Sequence, residues 1–337
     1  MAEPVISVRD LVVEFVTRRG TLRALDGVSF DVHRGEVLGV VGESGAGKSV
    51  TGTAIIGLIE PPGRIASGEV LLNGKRIDNL PPHEMRKMRG KKIGMIFQDP
   101  LTSLNPLYRV GEQLIETIQT HTDLSASAAR EKAIGLLAEV GISAPEKRID
   151  GYPHEFSGGM RQRVVIALAL CAEPDFIIAD EPTTALDVSV QAQIITLLKK
   201  LCRERGTAVM LVTHDMGVIA ETADRVAVMY AGRVAEIGPV RDVVQHPRHP
   251  YARGLMGAIP TLEATADRLV QIPGSMPRLS AIPKGCAFNP RCAYVFEHCR
   301  HVRPALVPAE QPAMAGHLVA CHLYDPAVAP ARQTETV

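Results

Sequence analysis

Tryptophan is absent from this chain, and aromatic residues of all kinds reach only 4%. With so few rings, stacking on unpaired bases is excluded as the main activity. Neither sign of charge dominates: 37 Lys and Arg balance 37 Asp and Glu. A polyanion-binding surface has no compositional basis, and nucleic acid is not expected as a partner. No run approaches the ~18 apolar residues needed to span a membrane. The best candidate, Val164 to Ile178, is broken by Glu173, Pro174 and Asp175. Met1 to Asp10 lacks a basic stretch followed by an apolar one, so no signal peptide is expected. Any membrane association then has to come through a partner.

What is present is enough apolar material for one large domain and a smaller one: 337 residues, 46% hydrophobic. Up to about residue 260, short β-rich runs alternate with helical patterns, which predicts an α/β domain. Ile6 to Phe15 and Val28 to Val32 read as an antiparallel opening sheet. Glu36 to Val41 is a buried strand leading into a glycine-rich turn and a helix from Lys48. Glu69 to Leu72 and Lys92 to Phe97 are further strands. Val110 to Cys171 is helical, while Phe176 to Ala179 and Ala208 to Val212 look like central parallel strands. Arg225 to Met229 and Arg233 to Ile237 flank Gly232 as a hairpin. Beyond Pro260 proline, histidine and cysteine rise and periodicity fades, so a boundary is placed near 260–270. The last residues, from Ala327, read as a disordered tail.

Gly42-Glu43-Ser44-Gly45-Ala46-Gly47-Lys48-Ser49 fits G-x-x-x-x-G-K-[ST] between a strand and a helix. Average composition gives about one chance match per hundred such chains. Glycines let backbone N–H groups turn to phosphate, and the helix N-terminus adds positive partial charge. Lys48 is expected to reach the β and γ phosphates and Ser49 to hold Mg²⁺. Phe176-Ile177-Ile178-Ala179-Asp180-Glu181 ends an apolar strand in two carboxylates, where α/β proteins place ligands. Asp180 is expected at Mg²⁺ and Glu181 as the general base for the attacking water.

Between these elements, Phe156-Ser157-Gly158-Gly159-Met160-Arg161-Gln162-Arg163 resembles the ABC signature, usually LSGGQ followed by a basic residue, Gln and Arg. Phe156 and Met160 depart from the usual Leu and Gln; Ser157, Gly158 and Gly159 are retained. Other motifs of that family follow in order. Phe97-Gln98-Asp99-Pro100 resembles the Q-loop, Ala185-Leu186-Asp187 the D-loop and Thr213-His214-Asp215 the switch region. The resemblance implies that Gln98 contacts Mg²⁺ and senses a transmembrane partner. It puts Asp187 at a dimer interface, His214 near the γ-phosphate and Phe15 against adenine. Asp99 to Pro106 and His249-Pro250-Tyr251-Ala252-Arg253-Gly254-Leu255 are similar to the dipeptide, oligopeptide and nickel importers.

The implied fold is a P-loop ABC-type ATPase core, residues 1–260. It has an antiparallel β subdomain and an inserted helical subdomain at about 99–171. An irregular extension at 261–337 follows. The implied function is ATP hydrolysis that energises a peptide importer. ATP would lie between one subunit's P-loop and the Ser157 loop of a second, homologous ATPase, the pair forming a heterodimer. Two permeases and an extracytoplasmic binding protein complete the implied complex, with this chain peripheral on the cytoplasmic face of the bacterial membrane. Nickel, glutathione or another small solute is an alternative cargo. A non-transport ABC ATPase ranks lower: translation factors carry two cassettes, and repair proteins insert long coiled coils that are missing here.

Cys171 and Cys202 stand alone in helical patterns and read as buried apolar residues. Cys286, Cys292, Cys299 and Cys321 crowd into the extension with five, six and twenty-one residues between them. In a reducing compartment four such thiols suggest a metal rather than disulfides. The tight C-x₂₋₄-C pair usual for zinc is missing, and the simple ferredoxin spacing is missing too. Spacing leaves the metal open; the resemblance implies a [4Fe–4S] cluster, with zinc second and buried thiols third. His298, His301, His317 and His322 nearby are expected at the surface.

Overall fold

Alternating strand and helix patterns set the element order in the computed structural model, which describes residues 3–18, 20–183, 186–257, 272–309 and 316–328. The chain opens with β1 (Ile6–Thr17), β2 (Gly20–Val32), β3 (Val37–Val41), α1 (Lys48–Ile55), β4 (Gly63–Leu72) and β5 (Lys75–Arg76). It continues through α2 (Pro82–Met88), β6 (Ile93–Ile96), α3 (Pro100–Ser103), α4 (Val110–His121), α5 (Ala126–Glu139), α6 (Pro145–Arg148) and α7 (Gly158–Leu170). Next come β7 (Phe176–Asp180), α8 (Val188–Arg205), β8 (Ala208–Val212), α9 (Met216–Thr222), β9 (Arg225–Tyr230) and β10 (Arg233–Pro239). The last are α10 (Val240–Gln245), α11 (Pro250–Gly257), α12 (Glu297–His301), β11 (Val307–Pro308) and β12 (Leu318–Val319). The boundary expected near 260–270 and most of the expected tail lie outside the described residues.

Contacts divide the chain into two units. One holds Asp31–Val37, Leu71–Val212 and the residues up to Ser7. Its strands β6, β7 and β8 are parallel, with Ile93 opposite Phe176 and Phe176 opposite Ala208. Phe176 to Ala179 and all of β8 are buried, as expected when helices cover both faces of a sheet. Helices α4, α5 and α7 pack on one another, burying Leu114, Ile118 and Leu137 completely. The starts of α5 and α7 are capped by side chains: Ser125 accepts from Ala128 N–H and Ser157 from Met160 N–H. Such caps satisfy amides that have no intrahelical partner.

The other unit holds Val8–Phe30, Leu38–Val70 and the described residues from Thr213 onward. Here β3 runs parallel to β9, and β9 is antiparallel to β10. The tight hairpin turn uses Ala231 and Gly232, both at positive φ. Strand β12 pairs β10, and β11 pairs β12, so the extension adds two short strands to this edge. A separate sheet contains β2, β1 and β4 in that order. Strand β2 starts eight residues earlier than Val28, the expected start. The reason is Gly27, whose φ of 77° interrupts the alternation inside a continuing strand and so reads in sequence as a turn.

Candidate nucleotide site and the thiol cavity

Strand β3 delivers the glycine-rich loop and α1 leaves it. Gly42 has φ 153°, and any Cβ there would collide with the Met229 carbonyl oxygen; only glycine fits. Gly47 caps α1 in the left-handed region, so the first amides of α1 have no intrahelical acceptors. Ser44, Gly45 and Ser49 are exposed, while Gly42, Ala46 and Lys48 are buried. The Lys48 ammonium lies back over the loop, donating to Gly42 O at 2.8 Å and Glu43 O at 3.3 Å. Glu43 faces the other way. Its N–H donates to Tyr251 Oη at 2.8 Å, and its carboxylate takes two bonds from Arg291, at 2.7 and 2.9 Å.

In the first unit, β7 ends in Asp180 and Glu181. Glu181 holds φ 46°, a region that residues other than glycine seldom occupy and that clusters at functional sites. Gln98, exposed after β6, donates from Nε2 to Glu181 Oε2 at 3.0 Å. The Q-loop amide and the candidate base are therefore a contacting pair. Asp99 caps α3 through Leu101 N–H. Ser157 and Gly158 are exposed at the start of α7. Gly159 is there for a second reason that its spacing did not reveal: a Cβ would come within 2.7 Å of Val190 on α8. Asp187 is exposed at the start of α8; Ala185 lies outside the described residues.

Thr213 is buried and His214 exposed, just before α9, whose N-cap Asp215 accepts from Gly217 and Val218 N–H. Phe15, half-buried on β1, lies over Gly63.

The four clustered thiols line one small cavity with His249, Phe288, Asn289 and His322. None of the six cysteines is in a disulfide. Burial, with Cys299 and Cys292 adding, pushes Cys286 up to about 11. Burial and the other three thiols push Cys321 up to about 12. The donor chemistry suits a soft metal, and His322 Nδ1 is buried without a hydrogen-bond partner. The spacing does not: among the described residues no three His, Cys, Asp or Glu form a metal-binding group. The cavity, at about 10 Å³, has room for about one water. The surface expectation for His317 and His322 is corrected, since both are 2% exposed; His301 is exposed as expected.

Sequence reading missed Tyr251, Arg291 and Glu236 as partners of these sites. Glu236 is fully buried, accepting from Arg248 N–H, His249 N–H at 2.7 Å and His317 Nε2 at 2.7 Å. Burial pushes the His249 imidazole down to about 3, so the neutral ring accepts the Tyr251 N–H on Nδ1 at 3.0 Å.

Two family models match the chain: ABC transporter over residues 25–184, and oligopeptide/dipeptide transporter, C-terminal region, over residues 235–299. The oligopeptide transport ATP-binding protein OppD of Escherichia coli (strain K12) is 50% identical, covering 90% of each chain. The dipeptide transport ATP-binding protein DppD of Bacillus subtilis (strain 168) is 48% identical, covering 96% of each. Among solved structures, a dimeric bacterial ABC transporter cassette aligns with TM-score 0.62 and 31% identity, over 70% of this chain and 99% of that one. By these matches the chain belongs to the ABC transporter ATP-binding subunits of the oligopeptide/dipeptide importer type.

Proposed function

We propose that this chain binds ATP through the Gly42–Ser49 loop and hydrolyses it through Glu181, driving peptide import in a complex with permeases and a substrate-binding protein. The Gln98–Glu181 bond at 3.0 Å carries the reading, because it ties a carboxylate base to the segment that faces the transport machinery. Mg²⁺ bound with ATP neutralises phosphate charge. Ser49, Gln98 and Asp180 offer the hard oxygen donors such an ion takes. Lys48 grips phosphate oxygens, and Glu181 orients a water and takes its proton. His214 steadies the terminal phosphate, and Phe15 supports the base. Ser157, Gly158, Gly159 and Asp187 meet the nucleotide of a homologous second subunit, so closure and reopening follow binding and hydrolysis.

Phe97, Leu101, Leu107 and Tyr108 are all exposed around Gln98. Leu107, at 81%, is far more open than a side chain with a packing role. This apolar run is the surface for a permease loop. No helix among the described residues is long and apolar enough to cross a membrane. In this reading the chain sits peripherally at the cytoplasmic face, held there by those permeases. Peptide is favoured over nickel or glutathione by the names of the relatives.

The experiment is transport in vesicles holding the complete complex. Peptide uptake should require ATP, and Lys48→Ala should weaken ATP binding at least about tenfold, since hydrogen bonds to charged groups contribute about 1.5–3 kcal/mol each. Uptake that persists without ATP would refute the reading.

A metal at Cys286, Cys292, Cys299 and Cys321, an iron–sulfur cluster first and zinc second, rests on the sequence resemblance alone, since no three such ligands are grouped for a metal among the described residues. No step of transport is routed through it. The chain purified without oxygen should carry stoichiometric iron or zinc; a chain with neither ends this reading.

A further inference from the structure

Residues distant in sequence, Tyr251 and Arg291, grip the phosphate loop. We propose that Arg291 and Tyr251 are positioning residues of that loop, locking Glu43 and screening its charge so that the loop accepts a nucleotide. The proposal rests on the nucleotide site described above. Glu43 is the first variable residue of the motif, one place after the strained Gly42. Both its polar ends are held. Tyr251 Oη takes the N–H, and the Arg291 fork takes both carboxylate oxygens. Two parallel bonds fix orientation as well as distance.

The clamp is itself anchored. The Arg291 side chain is only 6% exposed. Its Nε donates to Pro273 O at 2.8 Å and Nη2 to Ile272 O at 3.3 Å. Its guanidinium lies over Phe288 and Tyr230 at 5.8 and 5.9 Å, a contact favourable to a cation. Tyr251 is completely buried, and its own N–H is fixed by His249. An exposed ion pair would contribute little. This one is largely enclosed and ends on the loop expected to receive a triphosphate.

Charge makes the role specific. A carboxylate beside a polyanion repels it, and Arg291 cancels that repulsion. Removing the arginine alone should therefore weaken nucleotide binding more than removing both partners. A purely structural pair would show no such recovery, because the double variant lacks the bridge just as the single one does.

The test measures ATP affinity of the full-length chain. Arg291→Ala should raise Kd about tenfold. Adding Glu43→Gln to it should restore most of the loss, and Arg291→Lys should fall between. Arg291→Met serves the same comparison should Arg291→Ala not fold. Unchanged affinity in the single variant, or no recovery in the double, overturns the proposal. Lys48→Ala is measured alongside. If it binds ATP normally, the nucleotide-site reading itself has failed. If it loses ATP while the Arg291 variants do not, only the clamp is wrong.

Discussion

Glu181→Gln should cut ATP turnover of the assembled transporter about 10²–10⁴-fold, the range that general-base catalysis supplies, while leaving ATP binding intact. The substitution is nearly isosteric. Gln98 Nε2 now donates to a carboxylate oxygen at 3.0 Å, and an amide oxygen can accept the same bond. The Q-loop contact and the φ of 46° at this position should both survive. What is lost is the basic group that takes the proton from water. Losing a negative charge also favours a bound polyanion, so nucleotide should be retained. Single-turnover kinetics separates the steps: burst binding unchanged, chemistry slowed. Loss of binding along with turnover would mean that Glu181 builds the site rather than acting as its base. Turnover at the normal rate would move the base elsewhere.

Much of this site was legible because its signals are local. The glycine-rich loop occupies eight consecutive residues, and the acidic pair directly ends an apolar strand. Runs such as Ala208 to Val212 declare a buried parallel strand without reference to the rest of the chain. The parts that escaped are long-range polar contacts. Arg291 meets Glu43 across 248 positions of sequence, and His317 meets Glu236 across 81. In sequence Arg291 is one more charge in a proline-rich stretch. Glu236 interrupts an apolar strand and reads as its solvent face. It is buried because β12 and the residues at 248–249 close over it, which no local pattern announces. His317 was misplaced for the same reason. Gly159 shows the opposite limit. Its position in the signature was legible, but its close approach to Val190 depends on where α8 packs.

Glu236→Ala should destabilise the fold by about 3–5 kcal/mol, the usual cost of removing one partner from a buried, hydrogen-bonded charge. The carboxylate has no exposure. On one oxygen it accepts His317 Nε2 at 2.7 Å, on the other the His249 N–H at 2.7 Å, and it bridges the Arg248 N–H with both. Alanine leaves the buried His249 N–H and His317 Nε2 without this acceptor, and the partly buried Arg248 N–H as well; each buried loss carries its own desolvation penalty. Glu236→Gln keeps one oxygen acceptor and the side-chain volume, so it should cost visibly less. His317→Ala leaves the carboxylate its backbone donors and should fall between. Urea unfolding gives the free energies, and amide exchange locates them. Exchange should quicken first where β10 pairs β12, at Ile237 and Val319, because His317, directly before β12, bonds the carboxylate on β10. The extension would then loosen before the strands β3 and β9. If exchange instead rose evenly through the second unit, the Glu236 cluster would be part of one cooperative core and not the fastening of the extension to it.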